Sequence, residues 1–335
     1  MDTLEAIKSK IKLFSQLENS SSVRAVILHI EIAEKYFHRA KSENDYNLFT
    51  DVIYRTNQTF EGILKEAYSI FSNKKSSTKS PNEIEKYLAN QGVFKEHVKE
   101  LFATYRTQWR NKATHDHQLF FSEQEAFLAI VNVSAFVNFL LDQMIEKIAF
   151  ENEKLEVEKR KSKLKQVIEN YAKLNLTEKI TAILFQFSHE MQDIHKPQTD
   201  SEKEINLSEF ELSGRLMGFI SSIDPDLNIQ SEVPIKAGNV ILRPDIMISE
   251  NMEQVIVVLK RSPHLISYDF SIDSSLNQLL SYLIASGINQ GILYYPPIHC
   301  EGKTAMKEYK IHSIDTDKHV ICIGPSELFP VKYVT

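Results

Sequence analysis

The sequence predicts two domains, an all-α helical bundle followed by a mixed α/β domain. Three observations predict it. The chain has 335 residues, and at about 150 residues per domain that is roughly two domains. Glycine and proline are segregated: only Gly62 and Gly92 precede Gly214, and Pro81 stands alone before Pro197. Backbone breakers are thus nearly missing from the first half and concentrated in the second. Hydrophobic residues make up 42% and charged residues 25%, a balance that supplies a core and excludes global disorder.

The elements follow in order. Leu4, Ile7, Ile11, Leu13 and Phe14 recur at helical spacing and predict a short amphipathic helix to Leu17. Ser20 to Ser22 offer an N-cap for a helix from Val23 to about Lys41. A long helix from about Asp45 to Phe71 is stopped by the polar basic loop Asn73 to Asn82. Helices follow near Pro81 to Asn90 and from Val93 to about Trp109. Ser122 and Glu125 form a capping-box pattern ahead of a last long helix. Its run Ala126 to Leu141 is too apolar for a surface helix and predicts a central helix or a dimer face.

Residues 151–165 carry dense charge of both signs and read as a solvated connecting helix. Leu176 to Met191 resumes an apolar helix, and the polar stretch Asp193 to Asn206, with Pro197, reads as a linker. The expected division is a helical domain over 1–150, a helical connector and linker over 151–206, and an α/β domain over 207–335. In the last, a helix from Ser208 to Ile223 precedes strands Leu227 to Lys236 and Val240 to Ile248. These are joined at Ala237-Gly238-Asn239 as a hairpin. Gln254 to Arg261, with the run VIVVL, reads as a buried strand. A helix from Ser271 to Ser286, a strand from Gln290 to Tyr295 and two further strands near 308–314 and 319–323 complete the order. Gly214 and Gly218 are expected to allow close helix–sheet packing.

Formal charge is −6, which argues against bulk electrostatic coating of DNA while leaving room for a local basic site. Cys300 and Cys322 are too few for a disulfide framework, and no Cys-x-x-Cys pair exists for zinc. The N-terminus lacks a signal-peptide pattern, and no apolar stretch reaches the roughly 18 residues of a membrane span. The expectation is a cytoplasmic, reduced protein that does not meet a membrane.

Two constellations carry chemistry. In YRTQWRNKATHDH, residues 105–117, Arg110 precedes His115 by five positions, with Asn111 beside the arginine. Such groups suit RNA cleavage without metal. One group takes the proton of the ribose 2′-hydroxyl, another protonates the leaving 5′-oxygen, and a cation holds the phosphorane charge. Histidine titrates near neutrality, and arginine offers a bidentate fork to phosphate. Trp109 either stacks a base or belongs to the core. Asn57 and Glu61, one turn apart on the earlier long helix, are candidates to line the same cleft.

This half, from about Val23 to Lys147, resembles the HEPN superfamily. The likeness rests on Arg110-Asn111-Lys112-Ala113-Thr114-His115 placed ahead of the last long helix, and on the segment YRTNQTFEGILKEAYSIF, residues 54–71. The resemblance implies a metal-independent endoribonuclease that works as a homodimer with a composite cleft. Arg110 and His115 would be catalytic, Asn111 supporting, and Lys112 and His117 near substrate. Some relatives carry a modified tyrosine where this chain has His117.

In the second half, Arg243-Pro244-Asp245 lies on one strand and Val258-Leu259-Lys260 on the next. With the order helix, three strands, helix, strand (αβββαβ), this resembles the PD-(D/E)XK nuclease superfamily, a restriction-endonuclease-like core, over about Leu207 to Pro297. That chemistry needs two acids to hold Mg²⁺ and a lysine to orient water. Asp245 matches the first acid and Lys260 the lysine, while Val258 stands where the second acid belongs. Glu211, or Glu209, matches the helical glutamate, which with Asp245 would ligate metal. Gln278 and Tyr282 match a substrate-contacting Gln-x3-Tyr element. Asp269, Asp273 or Glu232 are candidates for a displaced acid. Three readings stay open for this domain: an inactive core that binds nucleic acid or a partner, an active DNase with a migrated acid, or an unrelated α/β domain.

The combination implies a nuclease of prokaryotic defence or stress response acting on RNA, and on DNA if the second core is active, with an antitoxin or defence partner in reach. The alternatives are a Mg²⁺-dependent DNA endonuclease and a non-catalytic nucleic-acid-binding regulator.

Overall fold

The computed structural model of the chain describes residues 3–14, 20–76, 79–94, 96–112, 120–164, 171–194, 207–261, 268–298, 303–312 and 317–329. The chain divides into two compact units, Met1–Ile148 and Ala149–Thr335.

The first unit is helical: α1 (Thr3–Phe14), α2 (Ser20–Glu43), α3 (Leu48–Ser72), α4 (Pro81–Asn90), α5 (Glu96–Tyr105) and the start of α6 (Glu123–Leu164). Local sequence sets the boundaries. Asn73 adopts a left-handed conformation (φ 53°) and ends α3. Ser80 caps α4 through a capping box with Glu83, and Pro81 occupies the first turn, where no N–H is needed. Ser122 and Glu125 form the expected reciprocal pair before α6: the Ser122 N–H donates to the Glu125 carboxylate at 2.9 Å, and the Glu125 N–H donates to Ser122 Oγ at 3.3 Å. A five-residue π-turn, Arg106–Arg110, extends α5, with the Asn111 N–H reaching back to the Arg106 carbonyl.

The core of this unit is aromatic. Phe60 of α3 lies against Phe102 (5.4 Å between ring centroids), Tyr105 (4.7 Å) and Phe136 of α6 (5.1 Å). Phe94 closes the cluster against Phe102 at 5.0 Å. Along α6, Ala126, Ala129, Val133, Phe136, Val137 and Leu140 are fully buried, as the central-helix expectation requires. Phe127, Leu128, Val131 and Phe139 of the same helix are exposed. α6 is also long and apolar enough over Glu123–Lys159 to cross a membrane, against the expectation from run length. Of its most apolar stretch, 67% is buried inside the fold.

The second unit begins inside α6. The charge-dense stretch after 150 stays helical to Leu164, because Glu, Lys and Leu all hold a helix well. α7 (Leu176–Ile194) belongs to the folded unit rather than to a connector, a correction to the 151–206 expectation. Its Ile180, Ile183, Leu184 and Phe187 are buried with Leu212, Leu216 and Phe219 of α8 (Glu209–Ile223). Lys179 adds an ion pair to Glu250 at 2.6 Å. Most of the linker stretch 193–206 lies outside the described residues.

The sheet contains β1 (Asn228–Ser231), β4 (Ile246–Glu250), β5 (Glu253–Leu259), β6 (Gln290–Tyr294), β7 (Thr304–His312) and β8 (Asp317–Pro325), in the order β1-β4-β5-β6-β8-β7. The β4–β5 pair is antiparallel. β5–β6 and β6–β8 are parallel, and α9 (Tyr268–Ser286) connects β5 to β6. Strand alternation sorts the core onto two faces. Val255, Val257, Leu259, Ile292 and Tyr294 face α7 and α8, while Ile256, Val258, Leu293 and Cys322 face α9.

The predicted hairpin is broken. β2 (Ile235–Ala237) and β3 (Val240–Leu242) form a separate two-stranded ribbon around Gly238, whose φ is 61°. Pro234 and Pro244 sit at the break. Each lacks the N–H that a continuous ladder requires.

Gly218 makes its close approach to a helix rather than to the sheet. A β-carbon there would stand 2.5 Å from the Phe150 carbonyl oxygen and 3.1 Å from Glu153 Cβ. Gly218→Ala is therefore expected to cost about 1–3 kcal/mol through enforced backbone shifts, measured as a lowered urea midpoint.

Candidate functional site

In the helical unit, α5 and its π-turn deliver Arg110 to α3. A π-turn inserts one residue into the helical repeat and re-aims the side chains after it. Arg110 Nε donates to Glu61 Oε1 at 3.3 Å, and its Nη1 donates to Asn111 Oδ1 at 3.1 Å. One turn earlier on α3, Asn57 Oδ1 accepts the Tyr105 hydroxyl at 2.9 Å. Both polar α3 residues suggested by the sequence thus meet the motif helix. Trp109 is a core residue, 7% exposed and 5.5 Å from the Tyr105 ring. Lys112 is exposed and donates to Gln108 Oε1 at 3.3 Å. His115 and His117 lie outside the described residues.

The guanidinium is held from two sides, by a carboxylate and by an amide, and its orientation is fixed without removing it from solvent. Side-chain exposure is 23% for Arg110 and 33% for Glu61. A charge held this way can meet a phosphate without first reorganising.

In the second unit, the break in the hairpin places Asp245 immediately before β4. Asp245 Oδ2 accepts the Leu259 N–H at 2.7 Å, and its carbonyl accepts the Glu232 N–H at 3.2 Å. Glu232 is left-handed (φ 51°), a conformation uncommon for a residue with a side chain. Burial pushes the Asp245 carboxyl up to about 6. The Leu259 N–H and the Lys260 charge pull it down, while Glu209 and Glu232 push it further up. The Asp245 charge also reaches Tyr282, which accepts from Gln278 Nε2 at 2.7 Å. Asp245, Lys260, Gln278 and Tyr282 are thus gathered at one end of the sheet.

Position 258 and the acids near Asp245 can be followed one by one. Val258 is fully buried in the apolar face toward α9, beside Leu279, Leu283 and Leu293. A carboxylate at that position would have to be buried within this largely apolar layer. Glu211 is engaged by Arg215 at 3.2 Å. No group of three metal-ligating side chains converges among the described residues. Among the described residues, the carboxylates that act electrostatically on Asp245 are Glu209 and Glu232. The side chains of Asp269 and Asp273 lie outside what is described.

The Asp245 shift has a stability consequence. A carboxyl whose folded pKa is raised, here from 3.8 to about 6, favours folding when protonated. That contribution is complete below pH 3.8 and is lost as pH rises through about 6. Asp245→Asn keeps an acceptor for the Leu259 N–H and never ionises. It should gain about 2–3 kcal/mol over the parent at pH 7.5 and little at pH 4. Urea unfolding of both proteins at the two pH values measures it. Equal differences at both would refute a buried ionising carboxyl.

Compared with protein-family models, curated proteins and solved structures, the chain matches none.

Proposed function

We propose that the protein is a metal-independent endoribonuclease whose chemistry resides in the helical unit, at Arg110 and His115. The α/β unit serves as a nucleic-acid-recognising module. The observation that carries this reading is Arg110, fixed by Glu61 and Asn111 at the end of a π-turn and five residues before His115. In this reading the helical unit is a HEPN-type bundle and the second unit a PD-(D/E)XK-like core that has lost its metal chemistry. Val258 in the apolar core and Asp245, whose carboxylate is taken up by the Leu259 N–H, support the second assignment.

The proposed step is internal transesterification. His115 takes the proton of a ribose 2′-hydroxyl, and the 2′-oxygen attacks the adjacent phosphorus. The bond to the 5′-oxygen breaks, giving a 2′,3′-cyclic phosphate and a 5′-hydroxyl end. A protonated neighbouring group, for which His117 is the candidate, supplies the leaving oxygen with its proton. Arg110 holds the charge that builds on the phosphoryl oxygens. Asn111 keeps the guanidinium turned, and Lys112 meets a flanking phosphate. The exposed stripe Phe127, Leu128, Val131 and Phe139 supports a homodimer in which two such sites cooperate. A role in prokaryotic defence or stress response, with an antitoxin-like partner, goes with this reading.

The test is labelled RNA and DNA incubated with the protein in Mg²⁺ and, in parallel, in excess EDTA. RNA cleavage that survives EDTA and leaves cyclic phosphate ends is the expected result. DNA cleavage that requires Mg²⁺ would move the chemistry to Asp245 and Lys260 and overturn the reading. Tight binding without turnover in either condition would leave a regulator.

A further inference from the structure

Between α2 and α3 lies a cavity of about 430 Å³, lined by His29 and Tyr36 from α2 and by Asp51, Tyr54, Arg55 and Gln58 from α3. No motif in the sequence marks it, because the lining alternates between two helices at spacings of three, four and seven residues. Its cation faces neutral partners. Arg39, Arg106, Arg110 and Arg215 each sit on a carboxylate. Among the described residues, Arg55 has instead His29 Nδ1, 3.4 Å from its Nη1, and the Tyr36 ring, 5.8 Å from its guanidinium carbon. Neither partner carries an opposite charge. Asp51 is one turn away on the same helix yet forms no ion pair with Arg55.

The histidine is consistent with this. Desolvation, and then the Arg55 charge, lower its pKa. A neutral imidazole accepts the arginine N–H at Nδ1 and keeps Nε2–H as a donor. The cavity thus offers one uncompensated guanidinium, a second donor, and an aromatic ring at its mouth, since Tyr54 is 52% exposed. Asp51 and Gln58, both exposed, supply an acceptor and an amide at the rim.

From this arrangement we infer that the α2–α3 cavity binds a nucleotide unit. Its phosphate pairs with Arg55, its base stacks on Tyr54, and Asp51 and Gln58 meet the base or sugar edges. A phosphate supplies the charge the guanidinium lacks. A planar base uses an exposed tyrosine face whatever its sequence. The same chemistry arrives either as one residue of a single strand or as a free mononucleotide. Gln58 stands one turn before Glu61 on α3, so a strand seated here would run toward Arg110. The site is nevertheless distinct from that one and does not depend on cleavage there.

The experiment uses the full chain and two probes. One is a fluorescein-labelled single-stranded 2′-O-methyl oligoribonucleotide, which lacks the free 2′-hydroxyl that cleavage would need, read by anisotropy. The other is adenosine monophosphate, read by calorimetry. Arg55→Gln and Tyr54→Ala change exposed or half-buried groups and should leave the thermal midpoint unchanged. Each is expected to weaken oligonucleotide binding about tenfold, the scale of one charge-assisted phosphate contact or one base stack. Arg55→Gln should also flatten the salt dependence by about one phosphate contact. Mononucleotide binding with the same dependence on Arg55 and Tyr54 would assign the cavity to free nucleotide; oligonucleotide binding alone would assign it to a strand. Binding of both probes unchanged in both variants, or no binding of either probe by the parent, would overturn the inference. Loss of RNA cleavage leaves this result untouched, and a null result here leaves the cleavage assay untouched.

Discussion

Arg110→Ala is expected to lower RNA cleavage by about 10²–10³-fold while leaving the fold intact. The magnitude is that of removing one preorganised donor from a developing oxyanion. In the proposed mechanism the loss belongs to the chemical step, since Arg110 is oriented by Glu61 at 3.3 Å and Asn111 at 3.1 Å. Stability should change little. Glu61 is 33% exposed, so the stranded carboxylate is rehydrated and the lost pair is worth about 1 kcal/mol or less. Arg110→Lys separates charge from geometry. A lysine restores the charge but not the planar fork that Glu61 and Asn111 hold, so recovery should be small. His115→Ala should cost a similar factor, and the double variant little more than either single one, because residues that act as a unit are non-additive. The readout is the cleavage rate of a labelled RNA in excess EDTA, with a urea melt on each variant. Parental rates in the Arg110→Ala, His115→Ala double variant would end the assignment.

The parts of the fold that were legible in the sequence were those that local chemistry fixes alone. The Ser122–Glu125 pair, Pro81 at the start of α4 and the buried run of β5 each announce themselves within a few residues. What was not legible depends on partners remote in sequence. Leu176 to Ile194 carries a good amphipathic pattern, but nothing local says that Phe187 meets Phe219 at 5.2 Å. The π-turn at Arg106–Arg110 leaves no mark on composition, yet it decides that Arg110 reaches Glu61. Pro234 falls inside the strand the sequence predicts over Leu227 to Lys236, and Pro244 inside the next. Their effect was not legible, since the two act together only once the strands are aligned, and their break is what sets Asp245 beside Leu259. Nor does spacing choose among Glu209, Glu211 and Glu232. The helix register turns Glu211 toward Arg215, and the field at Asp245 comes from the other two.

Phe60→Ala should produce the largest loss of stability in the helical unit, about 3–5 kcal/mol. The ring is 1% exposed and lies within 5.4 Å, centroid to centroid, of Phe102, Tyr105 and Phe136. It joins α3 to α5 and α6 at once, so truncation opens a void that neighbours on three helices cannot all close. Leucine in its place keeps most of the volume and should cost less. Phe120→Ala, at a side chain 70% exposed, should stay within about 0.5 kcal/mol and controls for removing a ring as such. The same core supports the candidate site: Glu61 follows Phe60 directly, and Tyr105, which Phe60 stacks, holds Asn57 through its hydroxyl at 2.9 Å. Where Phe60→Ala remains folded, RNA cleavage should therefore fall further than the folded fraction alone explains, because the arginine loses the firm wall that aims it. Cleavage that tracks the folded fraction would mean that α3 carries Glu61 to Arg110 without help from the aromatic core. The void would then be a matter of stability only.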